Sequence, residues 1–205
     1  MPWTENFRGV DYKKRAEYLL NYLRQLPDEL GQKKSKKLLT PFAHGYKDVL
    51  SFIVGSLCVR SEYRYISKCA QEQFENTKKR LKKEKTFKKN IDDKPVYNHV
   101  YSKGRYPVYK GLTHEHTIPT RVIVEHLATL DKKKLEVGYL ADFIEKVSGI
   151  ALITTDENKK LNKIMKDKLP SDTTLDDILQ GKKPHSARYE EAGIIIAETN
   201  HQAKA

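Results

Sequence analysis

Leu19, Leu20, Leu23 and Leu26 recur with Tyr12 and Ala16 at helical spacing, which predicts a helix over 11–26 with one apolar face. Asp11 is placed as an N-cap and Pro27 follows the end. A polar, Lys-rich linker covers 31–37. A second helix is predicted from about Tyr46 to Val59, where Val49, Leu50, Phe52, Ile53, Val54 and Leu57 leave little polar surface. A third, from about Ser61 to Lys89, carries Ile66, Ala70, Phe74 and Leu81 and ends in a basic run. The pattern changes after Asp92-Asp93-Lys94-Pro95. Residues 96–101 and 106–109 are β-prone around a turn. Helical patterns return over 120–130 (Val122, Ile123, His126, Leu127, Leu130) and over 132–147 (Leu135, Leu140, Phe143, Ile144, Val147), closed by Gly149. Residues 150–153 read as a short buried strand. Thr154-x-x-Glu157 is a capping box that opens a helix to about Lys168. A short acidic helix over 172–179 and a strand over 193–197 complete the chain. The pattern predicts an α+β fold: a mostly helical region over 1–95, then a mixed region over 96–205.

Composition adds a charge asymmetry. The net charge is +12, from 39 Lys and Arg against 27 Asp and Glu. Residues 1–95 hold 22 of the basic and 12 of the acidic residues, so the excess sits in the N-terminal half. Such a chain favours polyanions, nucleic acid before an acidic membrane surface. The densest basic stretch runs from Lys78 to Lys89. Lys78, Lys79, Arg80, Lys82 and Lys83 are its candidate phosphate contacts, against the plainer reading of a solvated helix end. Cys58 and Cys69 form no C-x-x-C pair, which argues against structural zinc and a disulfide framework. Neither a signal peptide nor a membrane span is expected, and the expected location is the cytoplasm.

Two segments can carry chemistry. His114-Glu115-His116-Thr117-Ile118-Pro119 sets a carboxylate beside an imidazole, and Asn158 lies in the first turn of the capped helix, with Asn162 one turn on. Hydrolysing a phosphodiester needs a base for the attacking water and positive charge on the phosphate. One imidazole and one divalent ion supply these. Neighbours on a strand point to opposite sides, so both side chains reach one phosphate only if the backbone bends there.

At these residues the chain resembles the HNH (ββα-metal) endonucleases. Glu115-His116-Thr117-Ile118-Pro119 resembles the family's Asp-His-Ile-x-Pro segment, and Leu152 to Lys160 is similar to its strand-into-helix segment. The resemblance covers roughly 111–168. It implies a ββα-metal core with a helical insertion at about 121–147, His116 as general base, and Glu115, Asn158 and Asn162 as ligands of Mg²⁺ or another divalent cation. His114 either orients this site or lies outside it. Lys159 and Lys160 join the basic run as candidate DNA-backbone contacts. The implied function is hydrolysis of DNA, with RNA a lesser expectation, in a restriction-like or mobile-element setting; double-strand cleavage would suggest a homodimer. The chain departs from the family in having Glu for Asp, in the long gap from His116 to Asn158, and in lacking the cysteine pairs of some members.

Two other readings compete. The Glu115-His116 pair is incidental if the chain is a non-catalytic, basic nucleic-acid-binding or phage accessory protein. Arg121 and His126 have the R-x4-H spacing of HEPN ribonucleases, a metal-independent site, but they stand apart on one helix and would need a partner subunit.

Overall fold

The computed structural model describes residues 12–25, 64–83 and 110–198; the expected linker over 31–37, helix over 46–59 and β-prone pair over 96–109 lie outside them. In chain order the elements are α1 (Tyr12–Gln25), β1 (Tyr65–Ser67), α2 (Lys68–Lys83), β2 (Leu112–His116), α3 (Thr120–Thr129), α4 (Val137–Val147), β3 (Ile150–Thr154), α5 (Thr155–Met165), α6 (Leu175–Leu179), α7 (Ala187–Glu191) and β4 (Ile196–Glu198). The fold is α+β. No helix among the described residues is long and apolar enough to cross a membrane.

The four strands form one sheet in the order β2-β3-β1-β4. β2 runs antiparallel to β3, with Leu112 opposite Thr154, Glu115 opposite Ala151 and His116 opposite Ile150. β1 is parallel to β3 and antiparallel to β4. The expected helical insertion between β2 and β3 is present as α3 and α4. They pack with α1 and α6 into a core of Leu19, Leu23, Ile123, Leu127, Leu140, Phe143, Ile144 and Ile178. A second core lies between one face of the sheet and α5, built from Tyr65, Ala151, Ile153, Leu161, Met165, Tyr189 and Ile194.

Several expected boundaries shift; the acidic helix expected over 172–179, for example, begins at Leu175, and the helix expected to about Lys168 ends at Met165. The helix expected over 61–89 begins at Lys68, because Tyr65–Ser67 is an interior strand between β3 and β4. The helix expected from 132 begins at Val137; Asp131 first makes a turn, its carbonyl accepting from Lys134 N and its carboxylate from Lys133 N. The last strand is 196–198, since Gly193 takes a left-handed turn at φ 62° and Ile194 drops into the core. The short helix α7 was not expected from the pattern. Packing also runs across position 95: α1 and β1 share core and sheet with elements after 110.

The capping box forms as the sequence predicts. Thr154 Oγ1 accepts from Glu157 N at 3.1 Å, and Glu157 Oε2 accepts from Thr154 N at 2.8 Å. The same Glu157 oxygen also accepts from the Ser67 hydroxyl of β1 at 2.6 Å. Strand β3 therefore passes into α5 with no intervening loop, and the start of α5 is bonded to the sheet interior.

Candidate functional site

Strand alternation sorts the residues of the candidate site. Ala151 and Ile153 face α5, so their partners Glu115 and Thr113 on β2 face α5 too. His114 and His116 pair with Leu152 and Ile150 and take the opposite face. Both are half-buried there. The bend that would let Glu115 and His116 converge is absent, for both lie within regular antiparallel pairing. The ladder continues past His116, with Thr117 N donating to Gly149 O at 2.9 Å.

Helix α5 runs alongside β2 in the same direction. At one end Thr155 N donates to Gly111 O at 2.8 Å. At the other, a single guanidinium bridges the two elements: Arg188 bonds the carbonyls of Met165 and Lys166 as well as Glu115 and His116. Glu115 is thus level with the C-terminal turn of α5. Asn162 lies about 4.5 Å and Asn158 about 10 Å back along the axis from Met165, at 1.5 Å per residue. Glu157 bonds Ser67, and Lys160 approaches Gly193, so that flank of α5 faces β1 and β4. Asn158 and Asn162 lie roughly 100–160° round the helix from Glu157 and Lys160, which turns them to the β2 flank. They are half-buried, and Asn162 Nδ2 donates to Asn158 Oδ1 at 3.0 Å. Glu115 and the two asparagines therefore border one edge, with Asn162 nearer to Glu115 than Asn158 is.

Glu115 is not an isolated carboxylate. Its Oε1 lies 3.2 Å from Arg188 Nη1, and the Arg188 side chain is fully buried while that of Glu115 is 22% exposed. Burial pushes the Glu115 carboxyl above the ordinary carboxylate range, Arg188 opposes this, and Asp167 adds repulsion that raises it further. Arg188 Nη1 also donates to His116 O at 2.8 Å, and Nη2 to Met165 O at 2.8 Å and Lys166 O at 3.2 Å. The last carbonyls of α5 gain a cation, which suits the negative end of a helix. Next to it, the Tyr189 hydroxyl donates to Glu115 O at 3.4 Å and His116 O at 3.3 Å. Burial raises the pKa of that hydroxyl, and Glu115 raises it further.

The donor set suits a hard cation. One carboxylate oxygen is committed to Arg188 and Asn158 Oδ1 already accepts from Asn162, leaving Oε2, the Asn162 amide oxygen and the second lone pair of Asn158 Oδ1, all oxygen donors of the kind Mg²⁺ takes alongside several waters. No group of three His, Cys, Asp or Glu side chains able to hold a metal occurs among the described residues. The set is chemically apt for Mg²⁺ and thin.

The remaining candidates scatter. Lys78 is buried with its ammonium 5.9 Å over the Phe74 ring, whereas Lys79, Arg80 and Lys83 are exposed on α2. The Lys82 side chain lies outside the described part. Lys159 is exposed and pairs with Asp156, and Lys160 is exposed beside Gly193. Arg121 is exposed and bonded to Glu125, while His126 stacks on Phe143 with ring centroids 5.2 Å apart, so this chain does not join Arg121 to His126.

Pattern reading missed Arg188, Tyr189, Thr117 and His185. His185 Nδ1 lies 3.3 Å from Thr117 Oγ1, which itself donates to Gly149 O at 3.1 Å. This joins the loop before α7 to the residue after His116. His185 stacks on Tyr65 and lines a cavity of about 420 Å³ with Lys146, Lys183 and Glu198.

Two half-buried imidazoles, those of His126 and His185, make stability depend on pH. Burial holds the pKa of His126 below 6.5, with Asp176 opposing; burial and Arg64 hold that of His185 below 6.5, with Glu198 opposing. Above about 6.5 both are neutral whether folded or not. Below it the unfolded chain binds protons that the folded chain refuses, so stability falls with acidification until the folded pKa values are passed. Glu115 acts in the opposite sense, so the comparison must be between variants. Thermal midpoints measured between pH 7.5 and 5.5 should fall less steeply for His126→Gln and His185→Gln than for the unmodified chain; equal slopes would exclude both histidines as the source.

No family model, no curated protein and no solved structure matches the chain.

Proposed function

We propose that the chain is a divalent-cation-dependent endonuclease that hydrolyses DNA phosphodiesters. The observation that carries this reading is the strand–strand–helix unit β2–β3–α5, which sets Glu115 and the Asn158–Asn162 pair along one edge. Glu115 Oε2 and the amide oxygens of Asn158 and Asn162 would hold the cation. When bound, Mg²⁺ supplies positive charge to the scissile phosphate and the leaving oxygen. His116 accepts the proton of the attacking water. It lies on the opposite face of β2 from Glu115, so the scissile phosphate must lie across the outer edge of that strand, which no other strand covers among the described residues. Lys79, Arg80 and Lys83 on α2, and Lys159 and Lys160 on α5, are exposed and would grip the DNA backbone.

The choice of variant matters. Glu115→Ala would strand the buried Arg188, so loss of activity in it would report unfolding as readily as chemistry. Glu115→Gln keeps an acceptor for Arg188 and removes the ligand charge. Plasmid cleavage in Mg²⁺ is expected to stop in excess EDTA. It should fall about 100-fold or more in His116→Ala, the scale of a lost general base. It should fall strongly in Glu115→Gln and Asn158→Ala, and less in Asn162→Ala. Cleavage that survives EDTA, or that His116→Ala and Asn158→Ala leave unchanged in folded protein, would end the proposal.

A second reading has its own support. Arg188 already neutralises Glu115, and His116 faces away from it, as expected of a basic nucleic-acid-binding protein without catalysis. Tight, salt-sensitive DNA binding with no cleavage under any divalent metal would favour that reading.

A further inference from the structure

We infer that Arg188 and Tyr189 are positioning residues that fix the Glu115–His116 dipeptide for a divalent cation. The inference rests on the nuclease reading and adds to it which residues aim the carboxylate. Two adjacent, fully buried side chains of α7 hold this dipeptide at three points. Arg188 Nη1 takes Glu115 Oε1 and the His116 carbonyl, and the Tyr189 hydroxyl is shared between the carbonyls of Glu115 and His116. The His116 carbonyl accepts from both side chains, and the Glu115 carbonyl accepts from Tyr189. The last peptide of β2 is therefore fixed in orientation, and with it the Glu115 side chain.

The arrangement has a chemical consequence. With Oε1 committed to Arg188, Glu115 offers a cation Oε2 alone, already oriented before any ion arrives. Burying a guanidinium is costly, and a five-residue helix such as α7 has little stability of its own. The bonds that offset this cost also tie β2 to the end of α5, so the edge carrying Glu115 is held against the helix carrying Asn158 and Asn162. Partners that orient a ligand from behind typically change metal affinity by tenfold or more when lost.

Mn²⁺ serves as the probe, with free ion followed by electron paramagnetic resonance on the full chain, well below its melting temperature. Tyr189→Phe keeps the ring and removes the hydroxyl; Arg188→Lys keeps the charge and loses the fork. The expected result is a dissociation constant raised severalfold by Tyr189→Phe and about tenfold by Arg188→Lys. A merely structural role would lower the melting temperature and leave the affinity of folded protein unchanged. If Arg188→Lys does not fold, Tyr189→Phe decides. Unchanged Mn²⁺ affinity in folded Tyr189→Phe overturns the positioning role and leaves the nuclease reading intact. An unmodified chain that binds no Mn²⁺, or binding that survives Glu115→Gln combined with Asn158→Ala, overturns the nuclease reading and this inference with it.

Discussion

Arg188→Ala is expected to destabilise the protein by roughly 3–5 kcal/mol, the scale for removing one member of a buried ion pair. The guanidinium is fully buried and serves one carboxylate and three backbone carbonyls. Alanine removes every one of those donors and leaves Glu115 in a low-dielectric site without its counter-ion. The carbonyls of Met165 and Lys166 lose the partner that closes α5. Urea unfolding measures this directly: the midpoint should fall at an unchanged slope, because the surface exposed on unfolding is nearly the same. Replacing both partners by apolar residues, Arg188→Met with Glu115→Leu, should recover much of the loss, since the penalty belongs to the stranded charge rather than to the missing attraction. A loss under about 1 kcal/mol in Arg188→Ala, the worth of an exposed pair, would show that the ion pair is not desolvated in solution.

Gly149→Ala is the second large effect, expected at about 1–3 kcal/mol, typical of overpacking in a dense interior. A Cβ at position 149 would collide with Thr117 Oγ1 and stand 3.4 Å from Thr117 Cβ and His185 Nδ1. Thr117 is fully buried, is stiff at χ1 and donates to the Gly149 carbonyl, so it has little room to yield. Thr117→Ala removes the clashing atom and one hydrogen bond, a loss of about 1 kcal/mol by itself. The double variant should be less destabilised than the two single losses added together, because the clash disappears with the hydroxyl. Strict additivity in a double-mutant cycle would show that the strain lies elsewhere.

Much of the fold is legible where one local signal suffices. The Leu19–Leu20–Leu23 stripe makes α1 and buries as the pattern predicts. The capping box marks the start of α5 to the residue, because its bonds join positions three apart. Gly149 does follow α4, but its smallness also answers to Thr117, far away in sequence. Strand β1 is illegible for a different reason. Tyr65–Ser67 has three residues, too few for alternation to show, and it becomes a strand because β3 and β4 flank it.

The candidate site divides in the same way. The placement of Asn158 and Asn162 follows from the cap and the helical period. The sidedness of Glu115 and His116 depends on pairing with β3, which local sequence does not reveal. Arg188 left no signal: within Ala187-Arg188-Tyr189-Glu190-Glu191 a lone arginine reads as the polar face of a surface helix. Its carboxylate partner lies 73 positions away, and only the folded chain brings them together.

Strand β1 also bears on the order in which the molecule assembles. Among the described residues it is the one strand drawn from the first half of the chain, and both its neighbours come from the second: Tyr65 pairs with Ala151 on one side and Glu198 on the other. Until those later segments exist, the groups of β1 have no ladder to join. The loops that must close are long, so the sheet is a late and slow event compared with the helices around it. During synthesis β1 therefore waits on β3 and β4, and the basic α2, joined directly to it, gains its fixed place only when those later segments are made.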